Sequence, residues 1–530
     1  MSADPVNPPP RAADSRERIR QFGWGWFETA LIVGVFIAAC PFAAPEVNEA
    51  TYLTKARHYW QPEWAAGDLY LESGDAHRVF YVIFGWVTSL VPLPVAAWIG
   101  RLVTWLSIAA AWQRLSWALV PRRGMAVLSA GLFVALCERF HMAGEWVIGG
   151  CEAKGFAYAL VFAALASIVR QRWLLGCLLL GGACALHPIV GLWSFAAAVV
   201  AYARPAEDRP PTIALLPVLV VASAIAAAGI QPALEMDANT DPAVRTAARE
   251  IYVFQRLPHH LVPSRMDSEH VLRFAGLSLV WLALCFLVTT DKRQRPLRTF
   301  VAVSLVIALC GVLIDELLEG SPRWRAELLR LYWFRLSDVM VPVGVALLVT
   351  IALVDGLAAR RRGAKAALVV CILAVVGHLL EHEGRFRPSV RTPRGERGVV
   401  IDDWRAACEW IVENTPPQSR WITPRYQQTF KWHTGREEVA NWKDLPQDAQ
   451  SIVTWWTRLG TLTPDAVHPE SGTPRRSNDL GWLGTARLRE LGIVYGADYV
   501  VARAEPRVAL PLLYQNNSYA VYDLAGERSF

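Results

Sequence analysis

The sequence predicts an α-helical polytopic membrane protein, about eleven transmembrane helices followed by a small C-terminal α/β domain outside the membrane, and three observations predict it. Apolar runs recur from residue 23 to residue 380, and half of them are long enough to lie across a bilayer unaided. Short clusters of Lys and Arg stand between the runs, the pattern of cytoplasmic loops. After about residue 380 the composition turns mixed and polar. At 530 residues, 53% hydrophobic and 19% charged, the chain departs from the globular average chiefly through those runs. Its net charge of +6 sits in the loop clusters, which argues against a nucleic-acid partner.

Residues 1–22 form a basic segment, "RAADSRERIR" at its centre, expected in the cytoplasm. The run 23–44 that follows is too long for the core of a cleavable signal and long enough to cross, so it is read as a retained first span. Further runs cover 79–91, 95–119, 125–137, 155–169, 173–186, 188–202, 212–231, 271–290, 299–318, 338–357 and 366–380. One of them controls the topology. The stretch "RVFYVIFGWVTSLVP" is too short for a hydrocarbon layer of about 30 Å, which takes about 20 helical residues. Laid flat on the outer surface, it leaves every later basic cluster on the cytoplasmic side: Arg122 and Arg123, Arg170 and Arg172, Arg204 and Arg209, Lys292 to Arg298, and Arg360 to Lys365. That reading gives eleven spans, of which 125–137, 173–186 and 366–380 are short.

Residues 23–380 are therefore expected to form the transmembrane domain, with large outer loops at 45–94 and 232–270. A basic linker, 381–400, leads to an extracytoplasmic α/β domain at 401–530. There "DDWRAACEWIVENTPP" reads as an amphipathic helix stopped by Pro416 and Pro417, and "GADYVVARA" and "SYAVYDL" read as short strands. Residues 466–480 read as a polar loop. Eight of the nine cysteines lie in or beside apolar runs and are expected as free thiols, with Cys137 and Cys151 near enough to the outer rim to raise a pairing. No phosphate-cradling glycine loop, HExxH or GxSxG is present, which excludes the common soluble nucleotide and hydrolase chemistries.

The flat reading gathers the unusual polar residues at one face. The first outer loop carries Glu46, Glu49, Asp75 and His77. A carboxylate at a membrane surface can act as a general base when burial raises its pKa, although Asn48 before "EATYLTKA" also reads as a helix N-cap. "GEWVIGGCEAKG" places Glu145, Glu152 and Lys154 where another span begins, and Lys154 can either pair with Glu152 or hold a phosphate at headgroup depth. "QRLPHHLVPSR" supplies Arg256, His259, His260 and Arg265 as a cationic, hydrogen-bonding surface suited to phosphate. Arg335 and Asp338, three apart, read as an internal ion pair at the mouth of a span, and His187 as a turn residue.

A first span, an acidic loop with "NEATYLTKA", an interfacial helix and then "GRLVTWLSIAAAWQRLSWALVPRRG" together resemble the GT-C superfamily of polytopic glycosyltransferases, which includes protein O-mannosyltransferases and aminoarabinose transferases. Asn48 stands where an Asp is frequent in that group. The resemblance implies transfer of a sugar from a polyprenyl-phosphate carrier to an acceptor at the outer face, with inversion. Glu49, and Glu46 beside it, would then be catalytic as the base. The donor would be bound by Lys154, Glu152, Asp75, His77, Arg256, His259, His260, Arg265 and Arg335, with the cations among them stabilising the leaving phosphate. Some members use a divalent metal, magnesium or manganese, to which Glu46 and Glu49 would contribute ligands. A bacterial inner membrane, with the N-terminus cytoplasmic, is the expected location. The alternative is a transporter or flippase for a lipid-linked sugar or other amphiphile, which ordinarily shows two related halves and mid-membrane charges; this sequence shows neither.

Overall fold

A computed structural model describes residues 12–205, 209–390, 400–462, 465–467, 474–476 and 479–525. Most of the chain is helical. Among the described residues six helices are long and apolar enough to cross a membrane: Leu93–Leu119, Thr212–Glu235, Ser268–Leu287, Lys292–Leu317, Arg335–Ala358 and Ala364–Glu381. The first expected span lies in the helix Ala12–Ala39, and others are helical but shorter, as in Met125–Arg139, Ala153–Val169, Trp173–Leu186 and Pro188–Ala203. By length alone the expected eleven is therefore not reached.

Small residues let these helices approach. A Cβ added at Gly229 would come 2.1 Å from the Ala185 carbonyl oxygen, and one at Gly181 would come 2.6 Å from that of Ala222. The helices Trp173–Leu186 and Thr212–Glu235 thus touch backbone to backbone, the contact that apolar solvent favours.

The stretch expected to lie flat folds as three short helical pieces between Arg78 and Leu90, about 20 Å end to end at about 1.5 Å per residue. Phe80 and Phe84 on one side pack on Phe156 at ring distances of 5.7 and 5.9 Å, while Ile83 and Leu90 are exposed on the other.

The C-terminal domain has a five-stranded sheet in the order 437–438, 420–422, 499–503, 519–523, 512–515. The first three strands run parallel and the last two add antiparallel. Tyr499–Arg503 is central and buried through its first four residues, as the apolar run YVVA requires. The helix Ile401–Asn414 covers one face with Trp404, Ala407, Cys408 and Ile411, a spacing that puts all four on one stripe. The other face joins a core that includes Ile452, Trp455 and Leu459 and also Val253, Leu257 and Leu261 of the 232–270 loop. The domain is therefore docked on the membrane domain through shared apolar packing.

One boundary differs from expectation. The helix Ala364–Val390 runs ten residues past the expected end of the last span and into the expected linker; residues 391–399 lie outside the described residues, as does most of the polar loop 466–480. None of the nine cysteines, all within the described residues, is in a disulfide.

Candidate active site

The first loop is built around two buried cations. Lys55, on the helix Glu49–Trp60, donates to the carbonyls of Tyr70, Leu71 and Ser73 at 2.9, 3.1 and 2.8 Å. Asp75 lies 3.6 Å from the same ammonium, so this carboxylate serves the loop and is not on the cavity described below. Arg101, fully buried in the helix Leu93–Leu119, donates from Nε to Glu49 Oε1 at 2.7 Å and from Nη2 to Glu49 Oε2 at 2.5 Å. The same carboxylate accepts the backbone N–H groups of Glu46 at 2.7 Å and Cys151 at 2.8 Å. Glu49 and Glu46 are both fully buried, and neither lines the cavity.

Asn48 does not cap its helix through its side chain. Its amide instead donates to Glu152 Oε1 at 3.1 Å, tying the first loop to the start of the helix Ala153–Val169.

Glu152 opens onto a cavity of about 430 Å³ at the junction of the first loop, the 138–154 loop, the 232–270 loop and the C-terminal domain. Six basic side chains (Lys154, Arg249, Arg256, Arg330, Arg335, Lys443) and three acidic ones (Glu145, Glu152, Asp237) line it, so its field favours an anion. Lys154 lies 3.4 Å from Glu152 and 3.7 Å from Glu145, with its ammonium 4.2 Å from the Trp146 ring centroid. Arg335 reaches Glu145 Oε2 at 3.2 Å and donates to His187 Nε2 at 2.9 Å. Arg249 and Arg330 both pair with Glu327. Tyr52, Tyr252 and Tyr332 complete the wall, and the Tyr52 hydroxyl lies 3.2 Å from His77 Nε2.

Burial makes the histidines at the cavity harder to protonate. Burial, with Arg335 second, pushes His77 down to about 4. Burial and His259 push His260 down to about 3, and its Nδ1 donates to the Ala143 carbonyl at 2.5 Å. His187 lies well below the ordinary histidine range for the same main reason. His259 and His260 both line the cavity, as do the side chains of Lys154, Arg256, Arg335 and Lys443.

Of the expected site residues, His77, Glu152, Lys154, Arg256, His259, His260 and Arg335 meet at the cavity. Arg265 does not: it donates to the Phe254 carbonyl at 3.0 Å. Asp338 is not paired with Arg335 as expected; it accepts from the N–H groups of Met142, Ala143 and Glu145 and so shapes the 138–154 loop. Sequence reasoning missed Lys443, which comes from the far domain. The metal ligands expected at Glu46 and Glu49 do not fit, since a guanidinium occupies both oxygens of Glu49. Among the described residues no group of three or more His, Cys, Asp or Glu is placed to hold a metal ion.

Residues 402–462 match a family model described as a domain of unknown function, DUF6798. Among curated proteins none matches the sequence. The chain is similar in structure to the archaeal oligosaccharyltransferase AglB of Archaeoglobus fulgidus in complex with an inhibitory peptide and a dolichol-phosphate, with 12% identity and a TM-score of 0.49 over 91% of this chain and 69% of that one. It is also similar to ArnT of Cupriavidus metallidurans bound to undecaprenyl phosphate, with 12% identity and a TM-score of 0.44 over 95% of this chain and 98% of that one. The apo state of ArnT gives 12% identity and a TM-score of 0.45 over 97% and 98%.

Proposed function

We propose that the chain is a membrane glycosyltransferase that moves a sugar from a polyprenyl-phosphate carrier to an acceptor at the outer face of the membrane, with inversion. One observation carries the reading: a single cavity combines two buried carboxylates with an excess of fixed cations, beside the end of a lipid-facing helix. Ala233 and Met236 line the cavity at the end of Thr212–Glu235, and only 17% of that helix's most apolar window is buried in the protein. A phosphate carried on a membrane lipid reaches such a site at headgroup depth, where no soluble nucleotide sugar is needed.

Glu152 is the proposed base. Asn48 holds Oε1, which leaves Oε2, beside the Lys154 ammonium, to accept a proton. As the acceptor hydroxyl oxygen bonds to the anomeric carbon, its proton passes to Glu152. The bond from that carbon to the phosphate oxygen breaks on the opposite face, and the phosphate leaves with the electron pair. Cations already in place at the developing charge lower the barrier without reorganisation. Glu49, expected as the base, becomes a positioning residue: with Arg101 it braces the segment that carries Asn48 and meets the backbone at Cys151, next to Glu152.

The test is turnover of radiolabelled polyprenyl-phosphate sugar by the full chain in proteoliposomes. Release of sugar from its carrier to an added acceptor, with inverted configuration, supports the reading. Movement of intact lipid-linked sugar across the bilayer without cleavage would favour a transporter, and neither binding nor turnover of any such lipid would overturn both.

A further inference from the structure

Most cations of the cavity already have a counter-charge. Lys154 is shared by Glu145 and Glu152, Arg335 faces Glu145, and Arg249 and Arg330 share Glu327. Two do not. Among the described residues, no carboxylate lies within ion-pair distance of Arg256 or Lys443, yet both line the cavity.

Their closeness is built in. Arg256 Nε donates to the Trp442 carbonyl at 3.0 Å, and its guanidinium lies 5.1 Å from the Trp442 ring centroid. Lys443 is the next residue. The turn that carries it is pinned from every side: Lys443 N–H donates to Asn441 Oδ1 at 2.9 Å, and Asn441 is held by Gln427 and Trp455 at 2.7 and 2.8 Å. Asp444, the nearest acid in sequence, is spent on Lys431 at 2.6 Å. Lys431 also binds Asp68 of the first loop at 3.1 Å, which fixes the domain against that loop.

A folded protein that holds two like charges together, half out of water and without a counter-ion, pays for the arrangement unless an anion joins them. We propose that Arg256 of the 232–270 loop and Lys443 of the C-terminal domain form one oxyanion subsite, with His259 beside it, that takes the phosphate ester of the lipid carrier. The C-terminal domain thereby supplies part of the donor site. The proposal rests on the glycosyltransferase reading for the identity of the anion, while the subsite itself rests on the charges. Burial and the nearby Arg256 push the Lys443 ammonium down to about 8, the response of a lysine that lacks a counter-charge. His259 feels both cations in the same way and is lowered by burial first, then by Arg256 and Lys443. A planar guanidinium with free Nη groups beside a compact ammonium suits a tetrahedral phosphate.

The experiment measures equilibrium binding of a radiolabelled short-chain polyprenyl phosphate, and separately of inorganic phosphate, to the detergent-solubilised full chain. Lys443→Gln and Arg256→Gln should each weaken binding at least tenfold, and Lys443→Arg should restore most of it. Arg256→Gln leaves the C-terminal domain's own sequence intact and so serves where Lys443→Gln misfolds. Polyprenyl phosphate bound equally by wild type and both Gln variants would overturn the subsite while leaving the transferase reading in place. Inorganic phosphate bound in a Lys443-dependent way, with no binding of the polyprenyl phosphate, would keep the subsite and remove the lipid carrier.

Discussion

Arg101 grips Glu49 through two parallel hydrogen bonds of 2.7 and 2.5 Å, and neither side chain has any exposure. Removing one partner of such a pair strands the other charge, at a cost of about 3–5 kcal/mol. Glu49→Gln and Arg101→Met should therefore each lower the yield and melting temperature of the solubilised protein, and the double variant should be less unstable than the sum of the two. A Glu49→Gln protein that melts like wild type but transfers no sugar would return Glu49 to the chemistry.

Asn48 sits 3.1 Å from Glu152 Oε1 as a neutral donor. Asn48→Asp replaces that donor by a carboxylate beside a carboxylate, so the hydrogen bond is lost and the two like charges repel. The pH profile of transfer should shift to higher pH, with activity near neutrality reduced about tenfold or more, whereas Asn48→Ala should lose rate without the shift. Identical profiles for wild type and Asn48→Asp would show that Glu152 is not the base.

Lys431 is the only counter-charge given to three buried acids, Asp68, Glu438 and Asp444, at 3.1, 2.6 and 2.6 Å among the described residues. Lys431→Met should release the C-terminal domain from the first loop, seen as new limited-proteolysis cuts between the two, with a stability loss of about 3–5 kcal/mol. Proteolysis indistinguishable from wild type would mean that the shared apolar core alone holds the domain.

Glu438 in that cluster is pushed up to about 7, first by burial and, against the pull of Lys431, by Asp444 and Asp68. Its folded pKa lies above its unfolded one, so the native state holds the proton longer and loses stability as pH rises through that window. Compared with Glu438→Gln, the wild type should become less stable between about pH 4.5 and 7, and denaturation of the two at matched pH values checks it. A difference that grows in the opposite direction would mean Glu438 is held ionised.

Much of this was legible because loops that leave the same end of a bundle must meet. His77, Lys154, Arg256 and Arg335 come from four separate segments, and placing those segments on one face was enough to group them. The amphipathic spacing of Trp404, Ala407, Cys408 and Ile411 likewise announced its helix. What stayed hidden were partners distant in sequence. Arg101 lies inside an apolar run, 52 residues from Glu49, and nothing local marks it as the group that occupies the expected base. Lys443 carries no signal beyond its place between Trp442 and Asp444, since its site exists only once two domains dock. The charge state of His260 depends on burial, which a single sequence does not display.

The most direct measurement is single-turnover transfer from a labelled polyprenyl-phosphate sugar by wild type and Glu152→Gln, both verified as folded by their melting curves. Loss of a positioned base typically costs 10²–10⁴ in rate, so the variant should retain the lipid yet release its sugar at least about a hundredfold more slowly. Transfer at the wild-type rate by folded Glu152→Gln would contradict the account.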